Sequence, residues 1–264
     1  MMRTGAIVLA MLAMTGPVLA ETVQLYAAGS LKTALTEVAK AFETKTGNKV
    51  AAKYGASGVL RKEITDGAKA DIFASANMEH PQALNDDGTS GPVALFARNK
   101  LCALVKPGLD VTTANLLARM LDDKVKLATS TPRADPAGDY ALESFTKAEA
   151  LKPGAQERLE RKARKLTGTK DSAVAPAGRA VYGWHVDEGR ADIFITYCTN
   201  ALEARKQYPA QQVVDLPEAL SVGADYGLTV IDGAPVAAQE FAEFILSTEG
   251  QKILMSYGFV PGQK

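Results

Sequence analysis

Short apolar segments alternate with helical patterns along most of the chain, and this alternation limits the folds that it can adopt. Segments with strand-like composition lie at 23–28, 50–54, 71–75, 101–106, 125–129, 193–197, 212–214 and 226–230. Segments with apolar residues at helical spacing lie at 30–44, 58–66, 81–86, 112–122, 137–148, 156–166, 178–188 and 235–246. Strands that alternate with helices predict an α/β architecture with mostly parallel sheets.

Two of the predicted strands run into a serine at the start of a helical pattern. Ser30 follows Ala-Ala-Gly, and Ser57 follows Gly55 and Ala56. A serine at this point predicts a helix N-cap, where the first backbone N–H groups have no intrahelical partner and the positive end of the helix dipole is exposed. Ligands of open α/β sheets bind beyond the carboxyl ends of the strands. The two serines therefore predict a site for a small oxyanion held by neutral donors.

The first 20 residues have the composition of an export signal. Arg3 supplies a positive charge, residues 6–14 are apolar, and Val18, Leu19 and Ala20 precede Glu21. We expect cleavage after Ala20, with retention as an uncleaved anchor as the alternative. The apolar stretch is shorter than the roughly 20 residues that a membrane-spanning helix needs. The pattern predicts a periplasmic protein without membrane insertion.

Charge balance and cysteine content narrow the function further. The chain has 30 basic and 30 acidic residues and is 47% hydrophobic, so it lacks the basic excess of nucleic-acid-binding proteins. Its length permits two lobes. Cys102 and Cys198 do not have a metal-like spacing. They predict either a disulfide, as in oxidising compartments, or two buried free thiols.

The sequence offers little for catalysis. His80 and His185 are its only histidines, and the 55–58 segment Gly-Ala-Ser-Gly does not match the nucleophile-elbow pattern. His185 and Glu188 alone supply too few ligands for a zinc site. We therefore expect a protein that is not an enzyme and needs neither a metal nor a cofactor.

Several separated motifs occur in the order typical of one family. They are Ala-Ala-Gly-Ser-Leu at 27–31, Ala-Ser at 56–57, Ala-Asp-Ile-Phe-Ala-Ser-Ala at 70–76, Pro-Ala-Gly-Asp-Tyr-Ala at 136–141, Gly-Arg-Ala-Asp-Ile-Phe-Ile-Thr-Tyr at 189–197, and Gly-Gln-Lys-Ile-Leu at 250–254 with Tyr-Gly-Phe at 257–259. With these motifs the chain resembles the periplasmic molybdate-binding proteins of ABC importers. The resemblance implies a two-lobed, type II periplasmic-binding-protein fold, each lobe a mostly parallel sheet flanked by helices. Lobe I would comprise 21–98 and 227–264, and lobe II 99–226.

The resemblance also implies the ligand contacts. They would be the hydroxyl and N–H groups of Ser30 and Ser57, the N–H groups of Ala137 and Arg179, and the hydroxyl of Tyr197. Ala137 follows a proline at the start of a helical pattern, where free N–H groups are expected. The implied function is capture of molybdate or a similar tetrahedral oxyanion by a monomer, for delivery to an ABC importer permease. Another small organic anion, or delivery to a sensor, is the alternative.

Some positions depart from the family pattern. Arg179 stands where relatives have a small apolar residue, so its guanidinium either enters the cleft or points to solvent while only its N–H binds. Asp135 and Asp139 flank Ala137, and we expect them to face away from a dianion or to pair with Arg133 or Arg179. Tyr197 is followed by Cys-Thr-Asn, where relatives often have glycine and an acidic residue. These departures leave tungstate, other tetrahedral oxyanions and small organic anions as possible ligands.

Overall fold

The computed structural model describes residues 20–262, so the predicted signal segment, apart from Ala20, lies outside the described residues. The strands are β1 (Thr22–Ala28), β2 (Lys49–Gly55), β3 (Ile72–Ser75), β4 (Ala94–Val105), β5 (Leu127–Ser130), β6 (Arg164–Thr167), β7 (Ile193–Tyr197), β8 (Gln212–Asp215), β9 (Gly223–Val230) and β10 (Val260–Pro261). The helices are α1 (Lys32–Thr46), α2 (Ser57–Thr65), α3 (Glu79–Asp86), α4 (Leu116–Leu121), α5 (Pro136–Leu151), α6 (Ala155–Lys162), α7 (Val181–Asp187), α8 (Cys198–Gln207), α9 (Val236–Leu246) and α10 (Thr248–Ser256). Short 3-10 turns occupy Gly29–Leu31 and Glu218–Leu220.

The strands form two sheets that share β4. The first sheet has the order β2-β1-β3-β9-β4, in which β1 runs parallel to β2 and β3, while β9 is antiparallel to β3 and β4. In the second sheet β7, β5 and β6 are parallel neighbours, and β4 pairs antiparallel with β7 and β8. The mixed α/β architecture predicted from the sequence is confirmed.

The long strand β4 passes from one sheet to the other. Residues 94–100 pair with β9 in the first sheet, and residues 101–105 pair with β7 and β8 in the second. This change of partners falls close to the predicted lobe boundary at 98/99. The lobe boundaries themselves stay a prediction.

Helical spacing explains how α1 covers the first sheet. Its buried residues are Ala34, Leu35, Val38, Ala39 and Phe42, which form one apolar face. The Phe42 ring lies 4.9 Å from that of Phe241 in α9, so both helices pack on the same face of the core. The helix ends at Gly47, whose φ of 81° is the left-handed conformation that glycine adopts at little cost.

Several predicted elements were wrong. Residues 164–166 were expected in a helix but belong to β6, whose Arg164 and Lys165 are exposed. Helices α8 and α10 were not predicted. Strand β4 begins seven residues earlier than expected, because Arg98, Asn99 and Lys100 interrupt the apolar pattern.

Among residues 20–262, every helix is too short or too polar to cross a membrane.

Candidate functional site

Ser30 is held by a buried tyrosine of the first sheet. It lies inside the 3-10 turn before α1, with Ala28 at the cap position, so its predicted role as a helix N-cap is wrong. The Ser30 hydroxyl instead makes a 3.0 Å hydrogen bond with the hydroxyl of Tyr226 in β9. Ser30 does not cap α1 because the 3-10 turn separates it from the first residue of that helix. The side chain is thereby oriented toward β9.

Ser57 is the first residue of α2, and Ala56 is the cap residue, so the N-cap prediction is wrong here too. The Ser57 side chain is fully buried, and its oxygen accepts the N–H of Ala76 at 3.1 Å. Ala76 directly follows β3. The hydroxyl of Ser57 is therefore fixed beside the carboxyl end of a parallel strand, and its proton is not used by this bond.

Tyr197, at the end of β7, connects the two sheets. Its hydroxyl donates to the carbonyl of Ala76 at 3.3 Å, and the residue is 1% exposed. Its ring lies 5.5 Å from that of Tyr226 and 6.3 Å from that of Tyr140. Burial raises the pKa of the Tyr197 phenol well above its ordinary value, so this group is a neutral donor. Ser57 and Tyr197 thus share Ala76 as a hydrogen-bond partner, and Ser30 joins this network through Tyr226, whose ring packs against that of Tyr197.

Sequence reasoning missed the polar residues that complete this network. The Asn99 amide donates to the Thr199 hydroxyl at 2.8 Å and to the Tyr226 hydroxyl at 3.3 Å. Thr199 lies in the first turn of α8, which begins directly after Tyr197 and so has its N-terminus at the site. The Cys-Thr-Asn departure after Tyr197 was the available signal, although it did not indicate a helix.

Ala137 does not have the free N–H group that was predicted. It lies in the first turn of α5, and its N–H donates to the carboxylate of Asp135, the N-cap residue, at 3.1 Å. Asp139 accepts the backbone N–H of Arg133 at 2.7 Å. Each carboxylate thus binds a nearby backbone N–H, and for Asp139 the donor belongs to Arg133, one of the two expected partners; that both face away from the ligand stays a prediction. Burial raises the pKa of both carboxyl groups.

Arg179 differs from its predicted position in two ways. It precedes α7 by two residues, and its N–H donates to the carbonyl of Pro176 at 3.0 Å. The guanidinium lies over the ring of Tyr208, 5.0 Å from its centroid, and is exposed. The helix starts later than expected, so the N–H is used in a turn.

Ser30 and Arg179 nevertheless line the same cleft. Its volume is about 960 Å³, and its walls carry Lys32 from α1 and Arg205 from α8. Lys206 and Glu203 also line it and pair with each other at 2.7 Å. The cleft is larger and more basic than an inorganic oxyanion requires.

The two sheets are also joined near Ser57. Gly58 donates its N–H to the carbonyl of Ala134 at 3.0 Å, which links the first turn of α2 to the segment before α5. A Cβ on Gly58 would lie 2.5 Å from the carbonyl oxygen of Arg133. Only glycine permits this approach. The structure thus brings the α2 and α5 N-termini together, as the predicted site requires.

Both histidines lie in surroundings that keep their rings neutral. Burial lowers the pKa of both His80 and His185 to about 4, and the neighbouring guanidinium of Arg61 or Arg190 contributes to the shift. His185 is 1% exposed and packs against Trp184, with 4.8 Å between ring centroids. Both rings are neutral near pH 7. This environment suits packing within the fold.

A disulfide joins Cys102 to Cys198 with 4.8 Å between the Cα atoms. It connects β4 to the first residue of α8, immediately after Tyr197. Of the two alternatives left open by the sequence, the structure contains the bridge. The disulfide therefore fixes the strand that crosses between the sheets against the helix that begins at the site.

Comparison with known proteins identifies the family. The family model for bacterial extracellular solute-binding proteins matches residues 23–260. An uncharacterized protein of Pasteurella multocida is 32% identical over 90% of this chain and 98% of its own length. The molybdate-binding protein ModA of Haemophilus influenzae is 26% identical over 90% of this chain and 89% of its own.

A solved structure agrees with this assignment. The periplasmic molybdate-binding protein of Azotobacter vinelandii superposes with a TM-score of 0.72 at 19% identity, covering 91% of this chain and all of that protein. This likeness establishes the periplasmic-binding-protein fold. The chain therefore belongs to the bacterial extracellular solute-binding protein family, as a relative of the molybdate-binding proteins.

Proposed function

We propose that the protein binds molybdate or a similar tetrahedral oxyanion, such as tungstate, between the two sheets. The observation that carries the proposal is the contact of Tyr197 and Ser57 with the same residue, Ala76. Elements of both sheets thereby bring neutral hydroxyl groups to one place at the carboxyl ends of their strands; on ligand binding, Tyr197 would exchange the Ala76 carbonyl for the anion as the acceptor of its proton. Neutral donors suit a dehydrated anion, because they replace its water without adding a counter-charge.

Capture involves closure of one lobe over the other. The contact of Gly58 with Ala134 and that of Tyr197 with Ala76 hold the two sides together. Strand β4, which runs through both sheets, supplies the connection about which they move. Release of the ligand would follow docking of the monomeric protein on an ABC importer permease, after export to the periplasm and cleavage behind Ala20. Delivery to a sensor would use the same binding step.

The family consists of solute-binding proteins, and we propose no enzymatic activity for this member. The two histidines are the available general bases with an ordinary pKa near neutrality, and both have a pKa lowered to about 4. Neither lies in the hydroxyl network of Ser30, Ser57 and Tyr197. Binding without chemistry is the simpler function for this arrangement.

Calorimetry of the protein without residues 1–20 tests the proposal. Molybdate, tungstate, sulfate, phosphate and chromate are titrated separately, and we expect at least one to bind with a dissociation constant well below the millimolar range. Failure of all five anions to bind would refute the oxyanion site.

A second candidate ligand is a larger organic anion. The cleft of about 960 Å³ and its basic residues Lys32, Arg179 and Arg205 favour it. In that case Arg179→Ala weakens binding of the organic anion, whereas Arg161→Ala, at an exposed arginine that pairs with Glu157, does not. A screen of small carboxylates and phosphate esters against both variants distinguishes this candidate from an inorganic oxyanion.

A further inference from the structure

The side-chain amide of Asn99 links the two sides of the cleft. Asn99 lies near the end of the part of β4 that pairs in the first sheet. Its amide donates to the Thr199 hydroxyl of α8 at 2.8 Å and to the Tyr226 hydroxyl of β9 at 3.3 Å. All three residues are buried. One side chain therefore orients a hydroxyl from the first sheet and a hydroxyl from the helix that follows β7 of the second.

The orientation of the Asn99 amide is fixed by the backbone. Its carbonyl oxygen accepts the N–H of Lys100 at 2.9 Å, so its NH₂ group faces the two hydroxyls. An NH₂ group of this kind donates two protons and accepts none. Thr199 and Tyr226 therefore accept from Asn99, and each keeps its own proton for another bond.

The proton of Tyr226 is directed to Ser30. Burial raises the pKa of the Tyr226 phenol, so this group stays protonated. Its oxygen accepts from Asn99 and lies 3.0 Å from the Ser30 oxygen, to which it donates. The Ser30 hydroxyl is then an acceptor in this bond, and its own proton is left for a further acceptor. Thr199 is in the same state through its direct bond to Asn99.

The two hydroxyls that keep a proton both belong to the wall of the cleft. Ser30 and Thr199 line it together with Gly258, which lies in the segment after α10. A Cβ on Gly258 would lie 3.6 Å from the Thr199 methyl group, so the Thr199 side chain is next to that segment. Ser30 comes from the start of α1 and Thr199 from the start of α8. Neutral donors thus reach the cleft from both sides.

We propose that Thr199 is a ligand-binding residue and that Asn99 positions both Thr199 and Ser30 as hydrogen-bond donors. An oxyanion without a proton accepts from both hydroxyls. An anion that carries an O–H would direct this proton against the proton of Ser30 or Thr199, and is therefore disfavoured. The inference rests on the proposed function and extends its site by one contact and one positioning residue.

Calorimetry with molybdate tests the contact. Thr199→Val keeps the shape of the side chain but removes the hydroxyl, and we expect it to weaken molybdate binding by about tenfold or more. Thr199→Ser keeps the hydroxyl and should recover most of this loss. Thr229→Val is the matched control, because the buried Thr229 hydroxyl donates to the Gly91 carbonyl at 2.7 Å, three residues further along β9 than Tyr226. It should bind molybdate like the wild-type protein.

Asn99→Asp tests the direction of the hydrogen bonds. Its carboxylate accepts the protons of Thr199 and Tyr226, so both cleft hydroxyls must turn their protons away from the ligand. In mildly alkaline buffer, sulfate and hydrogen phosphate have the same double charge and differ by one proton, so the added carboxylate repels them alike. We expect the wild-type protein to prefer sulfate by about tenfold or more, and this variant to lose the preference.

A second variant of Asn99 removes both donors without adding a charge. Asn99→Ala should weaken molybdate binding by about tenfold or more, with a denaturation midpoint that confirms folding. Wild-type molybdate affinity in Thr199→Val, or an equal loss in Thr199→Val and Thr229→Val, would overturn the contact while the proposed function stands. An unchanged preference in Asn99→Asp, or wild-type affinity in Asn99→Ala, would overturn the positioning role. Binding of none of the three anions to the wild-type protein would count against the proposed function itself.

Discussion

At the scale of single residues, Ser57 combines a structural bond with a proposed binding role. Its oxygen accepts the Ala76 N–H, and this bond does not use its own proton. A hydroxyl that accepts one bond is oriented for the next, so the backbone of Ala76 positions the donor. Tyr197 is oriented by the same residue through its carbonyl.

Removing this hydroxyl should affect binding and stability together. We expect Ser57→Ala to weaken oxyanion binding by roughly 1.5–3 kcal/mol, the range for a hydrogen bond to a charged group. The free energy of unfolding should fall by about 1–3 kcal/mol, because the buried Ala76 N–H loses its acceptor. Calorimetry and chemical denaturation measure the two effects. Ser172→Ala, at a serine bonded to Thr169 in a loop, is the control. An unchanged affinity in Ser57→Ala would place this residue outside the site.

A second prediction for a single residue concerns the close packing of Gly58. In Gly58→Ala the new Cβ would lie 2.5 Å from the Arg133 carbonyl oxygen and 2.9 Å from that of Ala134. The first turn of α2 must then move away and lose its bond to Ala134, so we expect ligand affinity to fall by about tenfold or more. Gly91→Ala is the matched control, since its Cβ would lie an ordinary 3.7 Å from the Val230 oxygen. Equal affinities in the two variants would contradict the closure contact.

At the scale of elements, periodicity predicted most of the strands and helices, but it missed the edge strand β6 and the helix α8. Strand β6 was read as helix because its Arg164 and Lys165 continue the charged pattern of α6, and an edge strand needs few apolar residues. Helix α8 was missed because it begins directly at the end of β7, with no turn residues between them. The Cys-Thr-Asn segment after Tyr197 marks the end of the strand, but it does not indicate that a helix begins there.

The candidate site was predictable only in part. Motif order selected Ser30, Ser57 and Tyr197; the structure joins Ser57 and Tyr197 through Ala76, and places Ser30 beside them on Tyr226. It did not select Tyr226, because a tyrosine within a strand has the same pattern whether it packs or binds. Nor did it show that Asp135 takes the Ala137 N–H, since a carboxylate near a helix start has several possible rotamers.

The disulfide allows a prediction about the elements that it joins. Cys102 and Cys198 are 96 residues apart, and the chain-entropy model assigns a loop of this length about 4–5 kcal/mol of stability as an upper value. We expect the double variant Cys102→Ser, Cys198→Ser to lose roughly 2–5 kcal/mol of unfolding free energy. Denaturation with and without reductant measures it. A wild-type protein that is unaffected by reductant would show that the bridge contributes little.

At the scale of the whole molecule, stability should depend on acid through the two histidines. Their pKa is about 4 in the folded protein and 6.5 when unperturbed, so the unfolded state binds more protons between these values. Their stabilising contribution is complete above about pH 6.5 and is lost as the pH falls toward about 4. We expect a loss of roughly 1–2 kcal/mol for each histidine.

Denaturation midpoints measured across this pH range test the prediction. His80→Gln and His185→Gln should each show a smaller decline than the wild-type protein. Comparison between proteins removes the opposite effect of Asp135 and Asp139, whose raised pKa values favour the folded state in acid. A decline of the same slope in both variants would assign the acid sensitivity to other groups.

The position of β9 determines the order in which the molecule can assemble. This strand, Gly223–Val230, lies between β3 and β4 in the middle of the first sheet. A chain that emerges from its N-terminus therefore presents β1 to β4 with a gap that stays open until residue 230 has been delivered. The strands of the second sheet, by contrast, are all available by Asp215. The second sheet can therefore have all its strands before β9 exists, while β3 and β4 lack the strand that lies between them.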